Sequence, residues 1–212
     1  MKIQITRIQF LCHILCLVPL IFLIYSAFNN QLTANPVREI AIRTGRTAIT
    51  ILLLSLLISP LKNIFGLNSF SSTRRLLGLY AAFYALLHFA NFIGLDYSFD
   101  WSEIYKTISQ QTFLLIGLVA FLLIILLAIT SLPNLQRSLG LAWKRIHRLV
   151  YLAALLVILH FFLAVKANFL LPIISLSSYL ILIILRIPPF SNIKIVIPRI
   201  SIINNFFKKN II

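Results

Sequence analysis

Negative charge is scarce in this sequence. Only 4 of the 212 residues are acidic, and charged residues of both signs make up 11%, against 60% hydrophobic residues. That is far more apolar surface than a soluble domain of this length buries, so the composition indicates an integral membrane protein. The few carboxylates also argue against an active site built from clustered acids.

Glycine and cysteine are scarce as well. The 6 glycines never fall into the G-x-G-x-x-G spacing, so the chain lacks that type of dinucleotide-binding module. Cys12 and Cys16 lie one turn apart in the first apolar segment, on the side where thiols are normally reduced. With no C-x-x-C-H sequence, covalent haem attachment is excluded. We therefore expect the chain to relay electrons and to leave substrate chemistry to a partner.

Long apolar runs dominate what is present. Six are long enough to cross a bilayer core of about 30 Å, at about 8–28, 46–61, 76–95, 112–132, 149–166 and 169–187. The first follows Lys2 and Arg7 as a signal peptide would, but its apolar run is longer than a usual cleaved core, and we interpret it as a retained helix. The sequence predicts an all-α, polytopic helical bundle in one domain over 1–212, with no evident internal repeat.

The basic residues indicate the orientation. Threading six spans from an inside start leaves 5 of the 19 bases outside, together with all 4 acids. These five are Arg38, Arg43, Arg46, Lys106 and Lys166. The positive-inside rule then places both termini, including a basic tail at 188–212, in the cytoplasm. Topology and anionic lipid account for the net charge of +15, so we predict no nucleic-acid partner.

Two histidines lie deep in the apolar runs. His88 is about 18 Å and His160 about 16 Å beyond the inner ends of their segments, so they lie at nearly equal depth. Two such imidazoles on parallel-running helices are what axial ligation of a b-type haem requires. Ala81 and Ala153, each seven residues before its histidine, leave room for a flat ring. The alternative is that small residues simply pack helices and each histidine bonds to a neighbouring carbonyl.

The remaining histidines and Arg46 are open to two interpretations each. His147, at the inner interface, is either a ligand of a second haem or a partly exposed residue of a basic turn. His13, in the first segment, is either a ligand or a packed, hydrogen-bonded core residue. Arg46 lies at the outer start of the second segment, where it either pairs with haem propionates or snorkels to head groups. Further along, 96–111 predicts a short interfacial helix after Asp100.

Three ordered motifs resemble a known family. "TGRTAITILLLSLLISPLKNIFG", "RRLLGLYAAFYALLHF" and "LGLAWKRIHRLVYLAALLVILHFF" are similar to the MsrQ/YedZ haem-binding membrane subunits, within the ferric-reductase-like transmembrane superfamily. The resemblance covers about residues 40–187 and assigns His88, His147 and His160 to the family's three histidine positions. The superfamily typically has two histidine pairs, and the inner partner of His147 is missing here.

The resemblance implies a function for the whole chain. It implies a b-haem conduit in the bacterial inner membrane, with one or two haems. Electrons would pass from a cytoplasmic flavin reductase or a quinol to a periplasmic molybdopterin methionine-sulfoxide reductase. It also implies FMN, for which Arg74, Arg75, Lys144 and Arg145 form a basic inner cluster. Two alternatives remain: a stand-alone ferric or metal reductase, and a transporter whose histidines carry protons.

Overall fold

The computed structural model describes residues 7–66, 70 and 72–187, and within these ranges it is helical, with no strand. The predicted all-α fold is confirmed. The α-helices are α1 (Arg7–Phe28), α2 (Pro36–Phe65), α3 (Thr73–Ala90), α4 (Trp101–Gln110), α5 (Thr112–Thr130), α6 (Pro133–Ile146), α7 (Leu149–Ala164) and α8 (Leu170–Ile184), with a π-helical turn at Asn91–Asp96 after α3. The predicted basic tail, 188–212, lies outside the described residues.

Helix α2 is longer than the sequence indicated. The side chain of Asn35 accepts from Arg38 N at 3.0 Å and Pro36 occupies the first turn, while Gly66 ends the helix with a left-handed φ of 68°. Its 30 residues span about 45 Å, more than a bilayer core requires. The prediction of 46–61 was therefore too short, because the charged outer turns conceal the helix from an apolar-run search. Arg46 lies within α2 and does not open it.

By length and composition, fewer of the described helices can cross a membrane than the six predicted. Four helical segments are long and apolar enough to span: α1, α2, α3 with its π-helical turn (Thr73–Asp96), and α5. The α6–α7 pair passes the same test when taken as one span bent by 58°. Helix α8 is apolar but has 15 residues. The chain is thus a multi-pass membrane protein with four to five candidate spans.

Two short polar helices flank the apolar ones. The predicted helix after Asp100 is confirmed as α4, whose Asp100 side chain accepts from Ser102 N and Glu103 N at 3.0 and 3.1 Å. Helix α6 was not predicted. It has no buried residue and contains Gly140 at φ 50°, so it shows neither a long apolar run nor regular backbone. It leads directly into the turn that carries His147.

Two helical hairpins form the centre of the fold. Helix α2 packs along α3, and α5 packs along α7; α3 and α5 join the two hairpins. One buried apolar cluster runs through them and includes Leu56, Tyr84, Ala153 and Ile158. Helices α1 and α8 pack on the outside of these hairpins. The two intramembrane histidines therefore belong to helices at the centre of the bundle.

Tyr84 joins α1 to α3 through a hydroxyl inserted beside a proline. The Tyr84 hydroxyl donates to Cys16 O at 2.7 Å and accepts from Leu20 N at 3.1 Å. Cys16 and Leu20 are one helical turn apart, and the intervening Pro19 has no N–H to offer the ladder. Tyr84 is 1% exposed. The contact satisfies backbone groups in a region where water cannot.

Substituting Tyr84→Phe should loosen α1. Loss of both hydrogen bonds should cost about 1 kcal/mol, which lowers Tm in detergent by roughly 2–4 °C for a chain of this size. Thermal unfolding followed by circular dichroism measures this. Tyr25→Phe, on the exposed side of α1, is the matched control. Equal Tm values for the two variants would show that the hydroxyl does not hold α1.

Candidate functional site

His88 and His160 meet between the two hairpins. Their ring centroids are 6.3 Å apart and their planes are inclined by 79°. His88 comes from α3 and His160 from α7, two helices that are distant along the chain. The structure therefore brings together the pair that the sequence placed at equal depth.

Each imidazole is held by a backbone carbonyl of its own hairpin. Nδ1 of His88 lies 2.9 Å from Ala41 O on α2, and Nδ1 of His160 lies 2.7 Å from Phe113 O on α5. Because a carbonyl can only accept, each Nδ1 must carry the hydrogen. Each Nε2 then keeps its lone pair, which is the state a metal-binding histidine requires.

The separation of the rings fits the two axial ligands of one haem iron. Two metal–nitrogen bonds of about 2 Å, with each ring centre about 1 Å behind its nitrogen, put the centres roughly 6 Å apart. The observed 6.3 Å agrees with this value. Direct imidazole packing is closer elsewhere in this chain, where the rings of His147 and Trp143 lie at 4.2 Å.

Glycine takes the place of a side chain behind each histidine. A Cβ on Gly45 of α2 would lie 3.2 Å from Nδ1 of His88, and a Cβ on Gly117 of α5 would lie 2.6 Å from Nδ1 of His160. The sequence analysis missed both glycines, because it considered glycine only as a component of a dinucleotide-binding loop. The signal that could have found them is their spacing, because Gly45 precedes His88 by the same number of residues as Gly117 precedes His160.

The site is built twice from one pattern. The two halves of the site are related by one constant offset in residue number. The carbonyl at 41 corresponds to that at 113, the glycine at 45 to that at 117, and the histidine at 88 to that at 160. Identical residues recur with the same offset between α3 and α7, namely Leu77/Leu149, Ala81/Ala153, Ala82/Ala154, Leu87/Leu159, His88/His160 and Phe89/Phe161. The expectation of no internal repeat was therefore wrong; the apolar composition hides a repeat that only aligned hairpins reveal.

Burial supports the repeat. Ala81 is 1% and Ala153 0% exposed, and Ala48 on α2 and Ala120 on α5, which are related by the same offset, are both buried. The alanines that were expected to leave room near the histidines thus occupy matching buried positions. Small residues at matching depths let each hairpin close tightly.

The outer arginines lie along α2. Arg43 forms an ion pair with Glu39 and donates to Ser26 Oγ at 3.2 Å. Arg46 is exposed and, with Arg43, lines a cleft of about 290 Å³ between α1 and α2. It directly follows Gly45, which lies against His88. Arg46 is therefore at the level of the histidine pair.

A second group of polar side chains, predicted to lie at the inner end, is centred on His147. Nε2 of His147 lies 3.2 Å from Thr130 Oγ1, and Trp143 covers its ring. Burial and the positive charge of Arg74 both lower the pKa of His147, which lies in the turn between α6 and α7. The neutral imidazole is therefore favoured at neutral pH.

His13 is hydrogen-bonded to the Tyr80 hydroxyl at 2.8 Å, as expected for a packed core histidine.

The predicted inner arginines differ in their contacts. Arg74, Arg75 and Arg145 are all exposed, and Arg74 also donates to Ser59 Oγ at 2.9 Å. The sequence analysis missed Arg186, just past α8, which donates to the Tyr151 hydroxyl and to Leu56 O.

One side-chain nitrogen of Arg186 has no hydrogen-bond partner among the described residues. Its guanidinium lies 5.0 Å from the centre of the Tyr151 ring, and its buried Nε has no partner among the described residues. No acidic residue follows Glu103 in the sequence. From α5 onward the chain therefore has no carboxylate that could pair with Arg186. Its contacts with Leu56 O and with the Tyr151 ring stabilise the guanidinium in part.

Comparisons with known proteins place the chain beside a family of membrane proteins. The family model described as "Ferric reductase like transmembrane component" matches residues 44–158. Three relatives, each named "Protein-methionine-sulfoxide reductase heme-binding subunit MsrQ", are similar over most of their length. The Caulobacter vibrioides protein is 34% identical over 187 residues, covering 88% of this chain and 89% of the relative. The Rhodospirillum rubrum protein is 37% identical (82% and 84% covered), and the Herminiimonas arsenicoxydans protein is 38% identical (87% and 86% covered).

Proposed function

The chain belongs to the MsrQ family of haem-binding subunits of protein-methionine-sulfoxide reductases, and from this membership we propose that it is a b-type haem electron-transfer subunit of a bacterial inner membrane. Electrons come from a cytoplasmic flavin reductase or a membrane quinol and leave to a periplasmic molybdopterin methionine-sulfoxide reductase. The observation that supports this most strongly is the separation of 6.3 Å between the His88 and His160 rings.

The chain's own residues hold and orient the proposed haem. His88 and His160 would hold the iron through Nε2, while the carbonyls of Ala41 and Phe113 keep the proton on each Nδ1. A haem held by these two histidines would supply reversible one-electron exchange. Buried apolar residues of the two hairpins, including Ala81, Ala153 and Ile158, pack in the same core.

Arg46 is the proposed partner of the haem propionates. Its position one residue after Gly45 puts it at the depth of the histidine pair, and its side chain reaches the exposed face of α2. An arginine there can form charge-assisted hydrogen bonds to a carboxylate. This role distinguishes Arg46 from Arg43, whose charge is already paired with Glu39.

The basic residues at the inner end could bind a cofactor that receives electrons from the donor. Two cofactors are proposed at this end: a second haem at His147, and an FMN held by Arg74, Arg75 and Arg145. A cluster of cations without a carboxylate favours an anionic group such as a phosphate. His147 must exchange its contact with Thr130 for the iron if it ligates the second haem through Nε2.

Six spans with both termini in the cytoplasm are proposed for the topology. Helices α7 and α8 have 16 and 15 residues, or about 22–24 Å, and a helix shorter than the bilayer core is accommodated by thinning and snorkelling. The inner bases, including Arg74 and Arg186, then meet on one side, in keeping with the positive-inside rule.

Reporter fusions test the topology. Green fluorescent protein fused to the C-terminus should fluoresce, since it folds in the cytoplasm, and alkaline phosphatase fused at the same place should be inactive. The same two reporters inserted after Asp100 in the α4 region should give the opposite pattern. An active phosphatase at the C-terminus would place that end in the periplasm and overturn the proposed topology.

Visible spectroscopy tests the haem site. Purified protein should show a reduced-minus-oxidised spectrum of bis-histidine b-type haem. His88→Ala and His160→Ala should each abolish the outer haem, because one axial bond is lost. His13→Ala, which removes a histidine bonded to Tyr80, should retain it, and His147→Ala should lose only a second, inner haem. A colourless wild-type protein that stays colourless after haem reconstitution would refute the proposal and favour a transporter.

The electron acceptor is tested with the reduced protein. Reoxidation should be fast with the periplasmic reductase subunit and methionine sulfoxide together, and slow with chelated ferric iron alone. The second arm matters because the matching family model is named for ferric reductases. Fast reoxidation by the chelate without the reductase subunit would identify a stand-alone metal reductase.

A further inference from the structure

We propose that Gly45 and Gly117 are the paired positioning residues of the haem site: each removes the side chain that would otherwise cover the carbonyl to which the ligating histidine is bonded. The proposal rests on the haem ligation proposed above and adds two residues that do not touch iron. It also assigns the two glycines unequal importance.

The helix geometry explains why the glycine lies one turn after the carbonyl. In an α-helix the N–H of residue i bonds to the carbonyl of residue i−4, so the Gly45 N–H points at Ala41 O and the Gly117 N–H at Phe113 O. A helical side chain leans toward the N-terminus and covers the turn before its own Cα. A side chain at 45 or 117 would therefore lie over the carbonyl that accepts from the imidazole.

The clearances show that each ring occupies the missing side-chain space. The Cβ of an alanine at 117 would be 2.6 Å from Nδ1 and 2.7 Å from Cε1 of His160. At 45 the corresponding distances to Cε1 and Nδ1 of His88 are both 3.2 Å. Nδ1 is the atom that donates to the carbonyl, so a displaced ring loses or lengthens that hydrogen bond.

The asymmetry gives a ranking. A distance of 2.6 Å requires His160 or the backbone of α5 to move, whereas 3.2 Å requires a shift of a few tenths of an ångström. Gly78, on α3, has nothing within 4 Å of its Cβ position. We therefore expect Gly117→Ala to disturb the haem strongly, Gly45→Ala less, and Gly78→Ala not at all.

The experiment measures haem retention and the geometry of its ligands in the three variants. Haem affinity should fall about 10- to 100-fold in Gly117→Ala, the range found when a residue that orients a metal ligand is changed. Low-temperature electron paramagnetic resonance of the ferric protein reports the angle between the imidazole planes, which is 79° here. That signal should shift in Gly117→Ala and, by less, in Gly45→Ala, and should match the wild type in Gly78→Ala.

The resonance signal separates positioning from packing. If a glycine is needed only for helix packing, replacing it with alanine will lower Tm but leave the resonance signal of the remaining haem unchanged. That result would overturn the proposal. If Gly117→Ala does not fold, Gly45→Ala decides: a signal and haem affinity equal to those of Gly78→Ala would also overturn it. A wild-type protein without haem would instead refute the proposed function.

Discussion

The hydrogen bond from each half-buried imidazole to a backbone carbonyl is the constraint on which the site depends. A polar ring inside a bilayer must have a partner, because water is absent and an unsatisfied group costs several kcal/mol. Ala41 O and Phe113 O provide that partner. The same bonds fix the tautomer, so one contact both stabilises the histidine and prepares its Nε2. The glycines and the tight pairing of α2 with α3 and of α5 with α7 make these contacts sterically possible.

The duplicated hairpin accounts for the matched depth of the two histidines. Two axial ligands of one iron must lie at the same level, and two copies of one unit achieve this when they pack side by side in the same direction. The copies diverge at their inner ends, where His147 of the second copy corresponds to Arg75 of the first. The first copy therefore offers no histidine to pair with His147, and basic residues are concentrated at this end instead. The fold thus separates the pair His88 and His160 from a positively charged surface at the other end of the bundle.

Sequence periodicity and spacing predicted the features that depend on local chain chemistry. The apolar runs marked most of the long helices, and counting residues along two of them put His88 and His160 at one depth. The capping residue Asp100 marked α4. What spacing could not show was the partner of each histidine, because a backbone carbonyl has no residue type of its own. The length of α2 and the existence of α6 were missed because charged turns and Gly140 interrupt the apolar pattern.

Arg186 shows why long-range contacts decide the chemistry of the inner end. In sequence it is one more base after an apolar run, equivalent to Arg75 or Arg145. In the fold it reaches across to Leu56 O on α2 and to Tyr151 on α7, both of them distant along the chain. These contacts hold the guanidinium, which forms no ion pair within the part of the chain that the structure describes. The electron donor proposed for this face would meet a positive field to which several helices contribute, although no single motif encodes it.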